Sequence, residues 1–298
     1  MEFVDKLLVS VIIPTYKRPD KLDRAINSVL NQTYPNVEVI VVDDNNPDTE
    51  GRRLTEEKMA TYTGNPRVKY IKHEKNKNGS AARNTGVRNS NAKYIAFLDD
   101  DDEFYPEKIA AQVKRLEELP EEYAVCYTYV VYEKENGQIR YSTECREGDL
   151  FFDALTRNLS FQAGSNLFIR KDAFDSIGGF DESFRRSQDK EVVTRLLKDY
   201  KLAFAPVKGV HAYVYDDHSF FNPLEITDYY VSKMSPFVET LPTNLQKSYY
   251  KEINKQRFYY AATMKKLGLT MKLLLSRKVS IMDAARIIRN GIRNKFGI

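Results

Sequence analysis

The chain has 298 residues, a formal net charge of +4, and 42% apolar and 12% aromatic residues. These values are typical of one large or two modest globular domains, and they exclude disordered, collagen-like and coiled-coil proteins. Cys126 and Cys145 are too few for a disulfide framework and lack C-x-x-C spacing, so we expect a reducing, cytoplasmic location. Neither a secretory leader nor an apolar run of about 18 residues is found, which argues against an integral membrane protein.

Charge is unevenly distributed along the chain. From Lys251 to Ile298, twelve basic residues stand against two acidic ones, which gives this segment +10 and leaves residues 1–250 at −6. A basic segment on an acidic body predicts an anionic partner. Between Phe258 and Lys278, Lys and Arg interleave with large apolar side chains. This pattern is compatible with a peripheral position on anionic lipid at the inner face of the plasma membrane, and equally with ordinary helix packing.

Strands and helices alternate in the first half of the chain. The β-branched run Leu8–Ile13 predicts a buried strand, which Pro14 ends, and an amphipathic helix follows over Asp20–Asn31. The unit repeats with strands at Val37–Val42, Val68–Ile71, Tyr94–Leu98 and Ala124–Tyr132, and with helices at about Pro47–Tyr62, Ser80–Arg88 and Pro106–Leu119. This alternation predicts a doubly wound, mostly parallel α/β sheet with helices on both faces.

The second half is less regular. Asn136-Gly137 is a hairpin signal, so we expect an antiparallel addition to the sheet. Next come a short strand at Asn166–Ile169, a Gly178-Gly179 turn, a helix over Gln188–Asp199 and a strand-like Leu202–Ala205. Beyond residue 222 the periodicity is helical. We therefore predict a sheet domain over residues 1–222 and a basic helical C-terminal region over residues 223–298.

Polar residues follow three of the predicted strands, at the edge of an open α/β sheet where ligands bind. The first strand leads into Pro14, Thr15, Tyr16, Lys17 and Arg18, the second into Asp43 and Asp44, and the fourth into Asp99, Asp100, Asp101 and Asp102. Four successive carboxylates repel one another, so the last cluster predicts a bound cation. Alternation along an extended segment would direct Asp99 and Asp101 to one site, and carboxylate oxygens suit Mg²⁺ or Mn²⁺. An acidic turn or a helix cap would explain one aspartate but not four.

A divalent ion held by two carboxylates usually completes its shell with substrate phosphates and water, so the cluster points to a nucleoside diphosphate. The chain has no Walker motif, and no G-x-G-x-x-G follows the first strand. P-loop NTPases and typical dinucleotide-binding oxidoreductases are therefore excluded. Asp43 or Asp44 could accept a hydrogen bond from a base or ribose, or could cap the next helix.

Six motifs follow one another between Val11 and Glu182. They are V-I-I-P-T-Y-K-R at 11–18, S-V-L-N-Q-T-Y at 28–34, V-V-D-D at 41–44, A-R-N-T-G at 82–86, A-F-L-D-D-D-D at 96–102 and G-G-F-D-E at 178–182. Together they resemble the family 2 glycosyltransferases with the GT-A fold, over about two-thirds of the chain. The resemblance implies a metal-dependent, inverting transfer of a sugar from a nucleoside diphosphate donor, by default a UDP-sugar. The acceptor would be a hydroxyl of a glycan or lipid-linked sugar, as in bacterial cell-surface polysaccharide synthesis.

The resemblance also implies roles for individual residues. A donor half over residues 1–102 would bind the nucleotide through Pro14, Thr15, Tyr16, Arg18, Asp43, Asp44, Arg83, Asp99 and Asp100. Asp99 and Asp101 match the ends of the family's D-x-D motif, with Asp101 as the more direct ligand of Mn²⁺ or Mg²⁺. An acceptor half over residues 103–222 would supply Asp189 as general base, although Gln188 stands where Glu is common. His211 and His218 are weaker candidates for a late metal ligand.

Two other classes of function fit parts of the chain. A sugar nucleotidyltransferase would share the acidic metal ligands, but the segment 14–18 lacks that class's Gly-rich loop. A non-catalytic protein could use the basic tail to bind nucleic acid or another anionic surface. The chain has no nucleic-acid reader motif and its body is acidic, so no nucleic-acid partner is expected. The tail could also form a homo-oligomer or a lid over the acceptor.

Overall fold

The apolar runs of the first 214 residues form a nine-stranded mixed sheet in the computed structural model, which describes residues 7–161, 163–215 and 221–296. The strands are β1 (Val9–Thr15), β2 (Val37–Asp43), β3 (Val68–Lys72), β4 (Tyr94–Phe97), β5 (Glu103–Phe104), β6 (Tyr123–Lys134), β7 (Ile139–Tyr141), β8 (Phe168–Arg170) and β9 (Lys201–Val214). Their order is β3-β2-β1-β4-β8-β6-β9-β5, with β7 beside β6. Strands β1 to β4 are mutually parallel, whereas β8 runs antiparallel to both β4 and β6. The predicted sheet with its antiparallel addition is confirmed.

Helices cover both faces of this sheet, as predicted. They are α1 (Pro19–Leu30), α2 (Glu50–Ala60), α3 (Gly79–Arg88), α4 (Lys108–Glu117), α5 (Phe151–Leu155), α6 (Ala163–Asn166), α7 (Lys171–Ser176) and α8 (Gln188–Asp199). Successive side chains of a strand point to opposite faces. Val11 and Ile13 accordingly pack in one core with α1 and α4, whereas Ile12 packs in the other with α3 and α8.

The sequence misplaced two elements of the second half. The predicted strand at Asn166–Ile169 begins at Phe168 instead, because Asn166 ends α6 and its side chain accepts from Thr128 N at 3.1 Å and donates to Thr128 O at 2.7 Å. Strand β9, predicted to end at Ala205, continues through Gly209. A side chain at Gly209 would collide with Thr128, since its Cβ would lie 1.9 Å from Thr128 Oγ1. Gly209 would be expected to end a strand, but its lack of a side chain is what allows β9 to pack against β6.

The chain divides into two units, Met1–Asp217 and His218–Ile298. The second unit contains α9 (Pro223–Glu239), α10 (Thr243–Thr263), α11 (Leu267–Leu275) and α12 (Ile281–Phe296). Helix α10 packs against the other three, and Phe258, Leu273, Val279 and Ala284 form a small core. The predicted helical C-terminal extension is confirmed. Across the described ranges, every helix is too short or too polar to span a bilayer.

Lys108, the first residue of α4, is fully buried. Its Nζ donates to Gln112 Oε1 at 2.6 Å and lies 4.4 Å from the centre of the Phe104 ring. Burial lowers the pKa of Lys108 to about 7, because an ammonium loses its hydration there. Between pH 7 and the ordinary pKa near 10.5, the unfolded chain keeps a proton that the folded chain has lost. This group therefore makes the free energy of unfolding rise with pH in that range.

We expect Lys108→Met to stabilise the protein at pH 7 and to lose part of this advantage by pH 9. Urea denaturation at pH 7, 8 and 9 measures the difference from the wild type, with Lys114→Met on the exposed face of α4 as the control. The range stops at pH 9 because burial raises the pKa of Cys126 to about 12, which adds a slope of opposite sign above pH 9. A difference that stays constant with pH would show that Lys108 does not titrate in this range.

Candidate active site

The polar residues that follow β1, β2 and β4 lie together at the carboxyl edge of the sheet. Thr15 and Asp43 are register partners at the ends of β1 and β2. Thr15 Oγ1 also donates to Asp100 Oδ2 at 2.8 Å, which ties the end of β1 to the loop after β4. Pro14 lies within β1, and Tyr16 follows it with an exposed ring. The sheet therefore brings three separate sequence motifs to one place.

The four aspartates after β4 divide into an accessible pair and a buried pair. Asp100 and Asp102 are buried. The side chains of Asp99 and Asp101 are 32% and 14% exposed. The accessible pair is the one that alternation along an extended segment singles out. Asp99 and Asp101 are thus the two carboxylates of this cluster that a ligand can reach.

Two arginines hold the accessible pair. Arg18 forms ion pairs with Asp101 and with Asp100, the latter at 3.1 Å, and Arg83 forms an ion pair with Asp99. Guanidinium groups that bind carboxylates in this way also suit phosphate oxygens. The structure therefore places two predicted donor-binding cations directly on the predicted metal ligands.

The buried pair is held by other contacts. Asp102 accepts from Ser165 Oγ at 2.5 Å and from Tyr213 N at 3.2 Å. Burial raises the pKa of Asp100 to about 7, although Arg18 and Thr15 act against this shift. Burial and the neighbouring Asp99 raise the pKa of Asp102 to about 8. Loss of hydration therefore disfavours the charged form of both buried carboxylates.

The composition of the cluster fits a divalent cation. Asp99, Asp100 and Asp101 share two guanidinium groups, and an added cation would relieve the repulsion among the carboxylates. The ligands on offer are carboxylate oxygens, which Mg²⁺ and Mn²⁺ prefer. Among the residues that the structure describes, no three His, Cys, Asp or Glu side chains are grouped so as to hold a metal. The remaining coordination positions would therefore belong to ligand phosphates and water.

Asp43 and Asp44 are buried, and protein donors occupy their carboxylates. Asp43 accepts from Tyr70 Oη at 2.6 Å and pairs with Arg52 at 3.0 Å. Asp44 accepts from the backbone N–H groups of Lys77 at 2.8 Å and Asn78 at 3.0 Å. Asp44 thereby shapes the loop between β3 and α3. Its predicted contact with the nucleoside stays a prediction.

Asp189 lies in the first turn of α8, after Ser187 with its left-handed backbone (φ +59°). It lines a cavity of about 180 Å³ together with Tyr132, Arg157, Ser160 and Lys190. The preceding Gln188 has a buried amide oxygen that meets no hydrogen-bond donor within the described ranges.

The short helix α6 contacts both α8 and the aspartate loop. It contacts α8, and a Cβ at its Gly164 would lie 3.0 Å from Asp99 Oδ2. The next residue, Ser165, accepts from Asp99 N at 3.1 Å. Helix α6 therefore contacts both the helix that carries Asp189 and the predicted metal ligand Asp99.

His211 contacts a carboxylate and an aromatic ring of the sheet. Its Nε2 lies 2.8 Å from Glu133 Oε2, and its ring stacks on Tyr213 with centres 4.4 Å apart. In the sheet, His211 pairs with Glu103 of β5, immediately after the aspartates. Its role as a metal ligand stays a prediction, and His218 lies outside the described residues.

Sequence reasoning missed the residues that join the two halves of the site. Asn84 of α3 donates to Phe180 O and accepts from Phe180 N, both at 2.9 Å, and so holds the Gly178-Gly179 turn. A side chain at Gly179 (φ +78°) would place its Cβ 2.7 Å from Asn84 Oδ1. Arg195 of α8 donates to Gly179 O at 2.6 Å from the other side. Asn84 and Phe180 belong to the A-R-N-T-G and G-G-F-D-E motifs of the sequence. Only the structure shows that these two motifs contact each other.

Comparison with known proteins agrees with these features. A sequence model of glycosyl transferase family 2 matches residues 10–178. An uncharacterized glycosyltransferase of Rickettsia typhi is 30% identical over 242 residues, which are 78% of this chain and 72% of that protein. One of Rickettsia conorii is 39% identical over 140 residues, which are 47% of this chain and 22% of that relative. The matched region is thus about a fifth of the length of that protein.

Solved structures of TarS from S. aureus share the fold. TarS 1–349 gives a TM-score of 0.65 at 16% identity, over 86% of this chain and 73% of that one. TarS 1–349 in complex with UDP-GlcNAc gives a TM-score of 0.63 at 15% identity, over 96% and 81%. This likeness confirms the predicted GT-A-like architecture. Since the family model covers more than half of the chain and five of its six motifs, the chain belongs to glycosyl transferase family 2.

Proposed function

We propose that the protein is an inverting, metal-dependent glycosyltransferase that moves a sugar from a UDP-sugar to a hydroxyl of a glycan or lipid-linked acceptor. The observation that carries this proposal is the accessible pair Asp99 and Asp101, held by Arg18 and Arg83 at the carboxyl edge of the sheet. TarS, which has the same fold, has been solved with UDP and with UDP-GlcNAc. These complexes support a uridine nucleotide as the donor.

Asp99 and Asp101 would hold Mg²⁺ or Mn²⁺. Such an ion, when bound, acts as a Lewis acid toward the diphosphate leaving group. Arg18 and Arg83 lie within reach of the same carboxylates, so their guanidinium groups would add charge-assisted bonds to the phosphates. The protein thus supplies positive charge where the leaving group becomes more negative.

The nucleoside would lie over the ends of β1 and β2. Tyr16 is exposed there, and its position after Pro14 and Thr15 places an aromatic ring beside the aspartate loop. Asp100 is buried behind this surface and contacts Thr15 and Arg18, which gives it a positioning role for both. Asp43 and Asp44 set the shape of the floor on which the base and ribose would rest.

Asp189 would act as the general base. An acceptor hydroxyl is a poor nucleophile near neutral pH, so a carboxylate must take its proton as the new bond to the anomeric carbon forms. The bond from that carbon to the diphosphate breaks on the opposite face, and the configuration inverts. Asp189 lines a cavity of about 180 Å³, which supports this assignment.

Calorimetric titration with UDP, GDP, dTDP and CDP tests the donor site, each with Mn²⁺ and then with EDTA. We expect UDP to bind at least tenfold more tightly with Mn²⁺ than with EDTA. Failure of all four diphosphates to bind would contradict the proposal and favour an interaction protein. Binding followed by pyrophosphate-dependent turnover of a UDP-sugar would instead indicate a nucleotidyltransferase.

Helix α11 supports a peripheral position on an anionic membrane. Leu267 and Leu275 are 75% and 77% exposed, with Met271 also exposed between them, and Lys266 and Lys272 lie alongside. An apolar stripe flanked by lysines suits the headgroup region of an anionic bilayer. We expect the wild type to pellet with phosphatidylglycerol vesicles and not with phosphatidylcholine vesicles, and Leu267→Ser/Leu275→Ser to lose this binding. Equal pelleting of both proteins would contradict the assignment.

A further inference from the structure

The cavity beside Asp189 has a mixed lining. Its apolar wall consists of side chains from α5, the segment after it, and α8, namely Ala154, Leu159, Phe161 and Val193. Its polar groups are Tyr132, Arg157, Ser160, Asp189 and Lys190. Such concave, largely apolar sites with a few convergent polar groups are typical of ligand pockets.

Two cations and one carboxylate line this cavity. Burial lowers the pKa of Lys190, and the nearby positive charge of Arg157 lowers it further, whereas Asp189 acts in the opposite direction. Within the described residues, the Lys190 ammonium forms neither a hydrogen bond nor an ion pair with a protein group. The lining thus carries two positive charges against one negative charge in a partly dry place, and an anion would relieve this imbalance.

The backbone adds to this excess. Lys190 and Asp189 belong to the first turn of α8, a helix of 12 residues. The side chain of its N-cap residue, Ser187, makes no capping hydrogen bond. The N–H groups of a first helical turn lack partners within the helix and carry partial positive charge. The helix end therefore adds to the positive charge of Arg157 and Lys190, and the carboxylate of Asp189 opposes it.

The cavity also lies next to the predicted chemistry. Tyr132 forms part of its wall, and the pKa of Tyr132 is raised by burial and by the nearby Asp102 carboxylate. Asp102 in turn belongs to the aspartate loop that would bind the donor. A group bound by Arg157 and Lys190 would therefore lie close to the acceptor hydroxyl that attacks the donor sugar.

We infer that this cavity binds an anionic group of the acceptor, a phosphate or a carboxylate, carried on the accepting sugar or on the unit next to it. The inference rests on the proposed function, because it takes Asp189 as the base that faces the acceptor. It restricts the acceptor to acidic glycans, which Arg157 and Lys190 would select over neutral ones.

Three probes with one sugar ring test this inference: glucose, glucuronate and glucose 6-phosphate. Each is titrated into the protein with Mn²⁺ and saturating UDP, so that Arg18 and Arg83 are occupied. We expect at least one charged probe to bind about tenfold more tightly than glucose. Preference for glucose 6-phosphate would indicate a phosphate-bearing acceptor, and preference for glucuronate a uronic acid.

Variants of the lining residues test whether the cavity causes the preference for a charged probe over glucose. We expect Arg157→Gln and Lys190→Gln each to reduce it about tenfold, and Lys190→Arg to retain it. Lys198→Gln, at the exposed end of the same helix, is the matched control and should bind like the wild type. Equal affinity for all three probes, or a preference that survives both Gln variants, would overturn the inference.

Titration of every variant with UDP distinguishes failure of the anion-binding inference from failure of the proposed function. The three substituted positions lie outside the donor site, so UDP affinity should not change. If the wild type itself fails to bind UDP, the proposed function fails, and the sugar titrations without nucleotide still report on the cavity. If UDP binds everywhere and the charge preference is missing, only the inference fails.

Discussion

Replacing Asp189 with Asn should abolish sugar transfer while leaving nucleotide binding intact. The amide keeps the size of the side chain but cannot take the proton of the acceptor hydroxyl. General-base contributions are on the order of 10²–10⁴-fold, so we expect kcat to fall by about 10³-fold. The Kd for UDP with Mn²⁺ should stay within twofold of the wild type, because Asp189 lies on α8 and the donor residues lie at the ends of β1, β2 and β4. Steady-state kinetics and calorimetry measure the two quantities.

Asp199→Asn provides the matched control for this experiment. Asp199 is the last residue of the same helix and is exposed, far along α8 from the cavity. The control should keep full activity. Transfer by Asp189→Asn at more than a tenth of the wild-type rate would remove Asp189 from the role of base. Loss of UDP binding in the same variant would instead point to a structural role.

Replacing Asp101 with Asn should weaken nucleotide binding only when the metal is present. The variant loses one of two accessible carboxylates, so the cation would keep Asp99 as its sole charged ligand at this position. We expect the Kd for UDP with Mn²⁺ to rise at least tenfold. In EDTA the variant should bind UDP as well as the wild type or better, because Arg18 no longer pairs with a carboxylate at residue 101. This pattern distinguishes a metal ligand from a residue that contacts the nucleotide directly.

The control for Asp101 is another carboxylate that pairs with a cation. Asp175 of α7 pairs with Lys171 at 2.6 Å and is half exposed. Asp175→Asn should leave the Kd for UDP unchanged with and without Mn²⁺. An Asp101→Asn variant whose affinity still depends on Mn²⁺ as in the wild type would remove Asp101 from the metal site.

Much of the first half of the fold can be predicted from local patterns in the sequence. Apolar runs predicted β1, β2 and β4 to within about two residues, because buried parallel strands read as unbroken apolar segments. Strand β3 was predicted to within one residue, although its sequence VKYIK is interrupted by lysines and it is only partly buried. Strand β5 has two residues and no such run. Strand β9 contains Pro206 and Gly209, which read as breakers, and only its contact with Thr128 shows why glycine is needed.

The candidate site likewise has some features that local sequence predicts and others that depend on contacts between distant residues. Its accessible carboxylates follow from a strand end and the alternation of side chains, both of which are visible in the sequence. The contact between Asn84 and Phe180 joins residues 96 positions apart, and no spacing rule predicts it. The cavity beside Asp189 depends on a segment near Arg157 meeting α8, which is equally nonlocal. Nonlocal contacts of this kind need the folded chain to be recognised.

The position of β5 has a consequence for the order in which the molecule is built. The aspartate loop leads from β4 to β5, but β5 pairs with β9 about a hundred residues later, and β8, the neighbour of β4, is also made later. At roughly 5–20 residues per second, a ribosome needs about 5–20 s to make the missing strands. During that interval β4 is an open edge, and unpaired edges attract other strands. Four negative charges directly after β4 would repel such partners, so we expect these aspartates to disfavour wrong strand pairing in the nascent sheet.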